Sequence, residues 1–252
     1  CKYKGMGSIV QATPLIVALR KRYPKARLVF ISTTANGGIL SLIDELDELV
    51  LLDDRNLRRL IGTYPRFLFK LIQLRIGVFI DLEIYSNFSS LNTTLSMARN
   101  RIGFYLRSSQ YRMGIYTHMM FFNTQTPIKQ AYLQMARLLG ITHPSDEIPA
   151  LINAPAQPEY HNYIVVNPNA SDLRIERRWP GDQVVQLIQQ LLRTYPTYQI
   201  ILIGGKSEKS YVDSLANQIA APQRQVITLA GTTSLTELTE LLTYASLFVT
   251  ND

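Results

Sequence analysis

Four apolar, β-branched runs near the end of the chain, residues 163–166, 199–203, 226–229 and 247–249, each close on small, polar or glycine residues. The closing segments are Asn167-Pro168-Asn169-Ala170-Ser171, Gly204-Gly205, Ala230-Gly231-Thr232-Thr233-Ser234 and Thr250-Asn251-Asp252; helical patterns follow the first three. Repeated strand–turn–helix units restrict the fold to parallel βαβ topology, because parallel neighbours need a crossover between them. In such a sheet the carboxyl ends of the strands line one crevice, and ligands bind there. Turns of small residues expose backbone N–H groups at that edge, which suits a phosphate-bearing ligand.

The same alternation runs through the first half. Residues 8–23 read as a helix, with Ile9, Thr13, Ile16, Val17 and Leu19 as its apolar stripe and Pro24 as its stop. A strand at 27–31, a helix at 37–46 and a short buried strand at 49–52 come next. Residues 56–74 form an amphipathic helix that Pro65 is expected to kink or split. A buried strand at 77–82 ends in acids, 86–98 and 128–139 are helical, and the aromatic stretch 99–126 fits neither pattern. Pro144, Pro149, Pro155 and Pro158 mark 144–161 as a linker. The expected architecture is α/β: two Rossmann-like lobes, 1–150 and 151–252, facing each other across a cleft. Residues 1–4 read as the tail of a strand already under way, and the chain stops at Asp252 directly after a strand, so the second lobe reads as incomplete.

Composition narrows the function classes. No apolar run reaches 18 residues, and Gly5-Met6-Gly7-Ser8 interrupts any signal-peptide core. A single cysteine, Cys1, excludes a disulfide framework and a thiolate metal site, and His118, His143 and His161 lack ligand spacing. Neither a metal nor a cofactor is expected, and a reducing cytoplasm is the simplest compartment. Residues 1–150 hold 19 Lys+Arg against 10 Asp+Glu, a net of +9, while residues 151–252 hold 7 against 9, a net of −2. The basic half is either a solvated surface or the face that meets an anionic partner: a phosphorylated glycan, nucleic acid or a membrane surface. Nothing resembles a zinc finger, an RNA-recognition signature or a basic helical arm, so nucleic acid is the weakest of these.

Gly5-Met6-Gly7-Ser8-Ile9-Val10 follows a strand and opens a helix as a dinucleotide fingerprint does, but the third glycine is missing. The next strand ends in Ser32-Thr33-Thr34 without an acid for a ribose, which argues against a nicotinamide oxidoreductase. The turn is either a conformational necessity or is kept small so that substrate can approach the helix start. Asp81 and Glu83 close a buried strand, where they serve as general bases or sugar ligands, or else cap a helix or pair with Arg101. Asn169, Ala170 and Ser171, with Arg178 ahead of Trp179-Pro180, offer N–H donors and a fixed bidentate charge to a diphosphate; the plainer reading is a loop with a packing tryptophan. Gly204 and Gly205 with Glu208, and Gly231 to Ser234, are weak signals singly and gain weight by recurring at successive strand ends.

The order N-P-N-A-S, R-R-W-P, I-L-I-G-G-K-S-E, L-A-G-T-T-S-L-T-E-L and F-V-T-N-D resembles glycosyltransferase family 9, the ADP-heptose:lipopolysaccharide heptosyltransferases. Gly7-Ser8-Ile9-Val10, Thr13-Pro14-Leu15, Lys21-Arg22-Tyr23-Pro24, Asp81-Leu82-Glu83 and Arg101-Ile102-Gly103-Phe104 agree with it. The resemblance implies a GT-B fold, acceptor on the first lobe with Gly5, Gly7 and Thr13 in its loop, nucleotide-sugar on the second, and inverting, metal-independent transfer. It implies that Asn169, Ala170, Ser171 and Arg178 contact the diphosphate, with Arg178 in place of the usual Lys. Glu208, Thr232, Thr233 and Ser234 then line the nucleoside pocket, and Asp252 begins an Asp-Ser/Thr-Gly turn toward donor sugar or phosphate.

One departure bears on catalysis. Where the family commonly has an Asp as general base, this chain has Ser8, and a serine hydroxyl needs a base of its own at neutral pH. Either Asp81 or Glu83 replaces it, or activity is weak or lost. The leading expectation is a transferase moving heptose or a related sugar from a nucleotide diphosphate to an anionic, lipid-anchored glycan, at the inner face of the cytoplasmic membrane. The alternative is a catalytically silent nucleotide-sugar-binding or scaffold protein.

Overall fold

The computed structural model describes residues 1–152, 155–170, 172–220 and 225–251, with 172–174 by backbone alone. The chain divides into two compact units, Cys1–Leu151 and Ile152–Asp252. Every strand pair in both is parallel.

In the first unit β1 (Val29–Thr33) pairs with β2 (Glu48–Leu52), and β3 (Val78–Ile80), β4 (Asn100–Tyr105) and β5 (His118–Phe121) form a second ladder. Residues 1–3 join the two. Lys2 N–H donates to the Ile31 carbonyl, and Leu82 N–H donates to the Cys1 carbonyl, each at 3.0 Å. The lateral order is therefore β2, β1, residues 1–3, β3, β4, β5, and the winding reverses between residues 1–3 and β3. Helices α1 (Met6–Val10), α2 (Thr13–Arg22), α3 (Gly37–Leu40), α4 (Leu57–Gln73), α5 (Asn87–Leu95) and α6 (Ile128–Leu138) complete the unit. Leu15, Ile102, Phe104, Tyr132 and Met135 form one core, and Tyr3, Ile31, Val50, Leu52, Phe67 and Leu71 another.

The second unit holds β6 (Tyr163–Asn167), α7 (Gly181–Thr194), β7 (Gln199–Leu202), α8 (Lys209–Ala216), β8 (Val226–Thr228), α9 (Leu235–Thr243) and β9 (Leu247–Thr250), with strand order β8-β7-β6-β9. Alternate residues of its central strands feed opposite cores, as the two-residue period of a strand requires. Ile164, Val166, Ile200 and Leu202 meet Val184, Ile188, Val212 and Leu215 from α7 and α8, while Tyr163, Val165 and Ile201 meet Leu241 from α9. Burial on both faces is why these strands read as continuous apolar runs. Each fully buried isoleucine among them contributes about 1.5–3 kcal/mol.

Several boundaries differ from the sequence reading, each for a local reason. The helix expected at 8–23 is two, because Pro14 has no N–H for the Val10 carbonyl; the Thr13 hydroxyl donates to that carbonyl instead, at 2.7 Å. Pro65 does not split its helix. α4 runs unbroken past it, with Pro65 and Ile61 both exposed, so the Ile61 carbonyl deprived of its donor lies on the solvent side. The helix expected at 37–46 stops at Leu40. The ambiguous stretch holds β4, a 3₁₀ helix at Arg107–Gly114 and β5.

Candidate active site

In each unit the strand order reverses beside its first strand, so the segments leaving the two strands at that reversal are the ones a ligand meets. In the first unit these are the segment after residues 1–3 and the segment after β3. The former turns at Gly5, whose φ of +87° is open to glycine and costly for a side chain. The turn opens α1, with Gly5 and Gly7 exposed and Ser8 half-buried. Ser8 lies beside the Tyr132 hydroxyl of α6. Thr13 is fully buried, its hydroxyl spent on Val10.

Asp81 leaves β3 with no exposed surface. Its Oδ2 accepts from an Arg112 guanidinium nitrogen at 2.8 Å, the Ser89 hydroxyl at 2.7 Å and the Tyr116 hydroxyl; Oδ1 accepts from Glu83 N–H at 2.9 Å. Arg112 is also fully buried, lies 4.7 Å over the Tyr116 ring and donates to the Glu83 and Ile84 carbonyls at 2.8 and 2.7 Å. Burial pushes the Asp81 carboxyl up and Arg112 opposes it; burial beside this carboxylate raises the Tyr116 phenol to about 12. The expectation of an open carboxylate facing the crevice gives way here: Asp81 is a closed anchor between β3, α5 and the 3₁₀ helix. Arg101, weighed as its partner, instead donates to the Ile115 and Ala98 carbonyls.

Glu83 is 8% exposed. Its Oε1 accepts from the N–H groups of Tyr3 and Lys4 at 2.8 and 3.1 Å, and Oε2 lies 3.0 Å from the Lys2 ammonium. Burial acts to raise its carboxyl, but Lys2 and the two backbone donors outweigh it and hold the group below its ordinary value. Glu83 thus stays ionised at the edge of the strand end, tied to the loop that leads to Ser8.

The second unit is built differently. At the end of β6, Asn167 Oδ1 accepts from the backbone N–H and the side-chain amide of Asn169, at 3.2 and 2.9 Å. That amide donates as well to the Ile203 carbonyl beyond β7 at 2.9 Å, and the Asn251 amide beyond β9 donates to the Asn169 carbonyl at 2.9 Å. Asn169 is 5% exposed, Ala170 is buried, and the Asn169 Oδ1 has no partner among the described residues. Gly204 admits this side chain: a Cβ there stands 2.7 Å from the Asn169 amide nitrogen.

At two further strand ends the expected backbone donors are already spent. Gly205 N–H donates to Glu208 at 2.6 Å, and Ser234 N–H donates to Glu237 at 2.7 Å, in capping boxes at the helix starts. The Thr232 hydroxyl donates to the Leu229 carbonyl, and Thr233 is half-buried beside it. Arg178 lies 4.2 Å over the Tyr211 ring of α8, and its buried Nε has no partner among the described residues. Ser171 and Asp252 lie outside the described residues.

The sequence reading missed Arg112, Tyr116, Tyr132 and Tyr211, and named Asn251 only as part of a strand-end segment. Each acts on a residue far away in the chain, and no local spacing marks such a pair. Among the described residues, no helix is long and apolar enough to cross a membrane, and no three His, Cys, Asp or Glu residues are placed to hold a metal ion.

A family model described as glycosyltransferase family 9 (heptosyltransferase) matches residues 89–252. Among solved structures, a family 9 glycosyl transferase from Veillonella parvula DSM 2008 superposes with a TM-score of 0.81 at 16% identity, over 99% of this chain and 73% of that one. E. coli heptosyltransferase WaaC with ADP gives 0.79 at 18%, over 99% and 79%. The same enzyme with ADP-2-deoxy-2-fluoro heptose gives 0.81 at 17%, over 100% and 81%. A search of curated proteins finds no match. These likenesses assign the α/β fold to the GT-B type of the heptosyltransferase structures.

Proposed function

Because the chain belongs to glycosyltransferase family 9, the heptosyltransferases, we propose that it transfers heptose or a related sugar from a nucleotide diphosphate, ADP-heptose first, to a lipopolysaccharide-type or other lipid-anchored glycan. The observation that carries the donor half is the tie made by Asn169. The buried Asn169 carboxamide links the carboxyl ends of β6 and β7, and the backbone carbonyl of the same residue receives the segment leaving β9, which fixes a crevice at the strand-order reversal. The ADP and fluoro-heptose complexes of WaaC support the same donor class.

In this reading the first unit presents the acceptor, through the exposed turn holding Gly5 and Gly7, with Thr13 buried at the start of α2 and out of its reach, and the second unit holds the donor. The acceptor hydroxyl attacks the anomeric carbon from the face opposite the diphosphate. The new glycosidic bond forms as the sugar–phosphate bond breaks, and the configuration inverts. Arg178, held flat on Tyr211, and the backbone of the Asn169–Ala170–Ser171 loop stabilise the departing diphosphate, with no metal required. Glu208, Thr232, Thr233 and Ser234 border the nucleoside, and Asp252 meets the donor sugar or phosphate. The acceptor proton goes to a carboxylate. Both candidates have their oxygens engaged, but Asp81 has no exposed surface whereas Glu83 keeps 8% beside the Ser8 loop, so Glu83 takes the role of base. The net +9 of residues 1–150 suits a phosphate-rich acceptor at the inner face of the cytoplasmic membrane.

Calorimetric titration with ADP and UDP tests the donor half, with ADP expected to bind and silence toward every nucleoside diphosphate sinking it. Turnover of Glu83→Gln and Asp81→Asn tests the base. Glu83→Gln is expected to lose about 10²–10⁴-fold in kcat, and unchanged turnover removes Glu83 from the chemistry.

A further inference from the structure

α4 buries Phe67 and Leu71 in the first unit, yet a second apolar edge of the same helix is left open. Leu57, Ile61, Phe69 and Ile72 are 69, 63, 61 and 49% exposed, with Pro65 exposed between them. Positions 57, 61, 65 and 69 recur every four residues and Ile72 follows three later, so they line one edge for about 22 Å at 1.5 Å per residue. α5 adjoins this helix: the Tyr64 hydroxyl bonds Asn92 at 2.8 Å, and the Tyr64 and Phe88 rings lie 5.8 Å apart. α5 in turn exposes Leu91 and Leu95, one helical turn apart.

Charge identifies what such a face meets. Neither Leu57–Gln73 nor Asn87–Leu95 contains an acid, while α4 carries Arg58, Arg59, Arg66 and Lys70. Arg59 and Lys70 pair with Asp53 and Glu48, whereas Arg58 and Arg66 are exposed with no ion-pair partner among the described residues. Arg75 and Arg99, just beyond the two helices, are exposed too. Single exposed apolar side chains are ordinary, but a continuous edge rimmed by arginine is the composition of an interfacial helix.

We propose that the open edge of α4, continued by Leu91 and Leu95 of α5, docks the protein on an anionic lipid bilayer. The apolar side chains enter the boundary between headgroups and acyl chains, and Arg58 and Arg66 meet lipid phosphates. A second copy of the chain is the poorer occupant, because its own arginines then face these. The choice of bilayer rests on the reading that the acceptor is lipid-anchored.

Flotation of the purified protein with phosphatidylglycerol-containing vesicles and with phosphatidylcholine alone, both free of glycan acceptor, tests the surface. Binding is expected to the anionic vesicles only and to weaken with salt. The triple change Ile61→Ser, Phe69→Ser, Ile72→Ser is expected to lower it at least about tenfold. Arg58→Gln with Arg66→Gln is expected to flatten the salt dependence. ADP titration of each variant, expected to match wild type, confirms folding and reports separately on the donor reading. Wild type that stays with neither vesicle, or a serine variant that floats as well as wild type, overturns the proposal. So does a wild-type dimer in sedimentation that the serine changes split into monomers. Flotation of a protein that binds no nucleoside diphosphate upholds the docking surface and removes the transferase reading instead.

Discussion

The two units place the same topological device, a reversal of strand order beside the first strand, at the centre of two unlike polar environments. In the first, charge is answered by charge inside the protein: Asp81 with Arg112, both fully buried, and Glu83 with Lys2. In the second, the strand ends are joined by carboxamides, Asn167, Asn169 and Asn251, and the buried Asn169 Oδ1 is an acceptor left without a partner among the described residues, while each unit has one unpartnered guanidinium Nε, of Arg112 and of Arg178. Buried ions must be compensated on the spot, whereas neutral amides can leave an acceptor open at lower cost. The first reversal is therefore suited to fixing backbone, and the second to receiving something.

The sharpest way to break that contrast is Arg112→Met. Removing one ion of a fully buried pair leaves Asp81 uncompensated, and a loss of about 3–5 kcal/mol is expected in denaturant unfolding. A loss below about 1 kcal/mol would show that this pair behaves like a surface one. Next comes Arg178→Ala in the second unit. Stability is expected to hold while ADP affinity falls by about 1.5–3 kcal/mol, the worth of a hydrogen bond to a charged group. Tyr211→Leu, which removes the ring under the guanidinium, is expected to cost a smaller part, about 0.5–2 kcal/mol, in the same titration. Equal ADP affinity in all three proteins would leave Arg178 a packing residue.

The smallest effect is one of pH. The Glu83 carboxyl is lowered in the folded state, so its contribution is complete above the ordinary glutamate pKa, about 4.3, and is lost as pH falls below that through the folded value. The stability gap between wild type and Glu83→Gln, read from urea midpoints, is expected to shrink over that descent. A gap that stays constant would mean that the ion pair with Lys2 contributes nothing.

Much of the fold was legible because both faces of these sheets are buried. Runs such as Ile164–Val165–Val166 have no reason to be continuously apolar except in a covered parallel sheet. The stretch 99–126 was not legible, since β4 contains Arg101 and Gly103, and β5 keeps His118 and Phe121 exposed. Pro65 does not split α4 because it faces the solvent side of the helix, and which side it faces only packing decides. In the sites, the acids at the end of β3 could be seen as strand-end carboxylates, but their state could not. Asp81 is closed by Arg112, 31 residues on, within the stretch that had no pattern. Arg178 could be seen as a cation but not as one stacked on Tyr211, which lies on a different helix.

Glu208 and Glu237 act as resident anions. Each occupies the positive end of a helix that would otherwise attract a phosphate, so those two sockets are filled before any ligand arrives. In the proposed reading an incoming diphosphate finds those two helix starts taken, which leaves the buried Asn169 and Ala170 at the end of β6 as its seat. Selectivity at this edge would then come as much from the two helix starts the protein has closed to itself as from any strand end it keeps open.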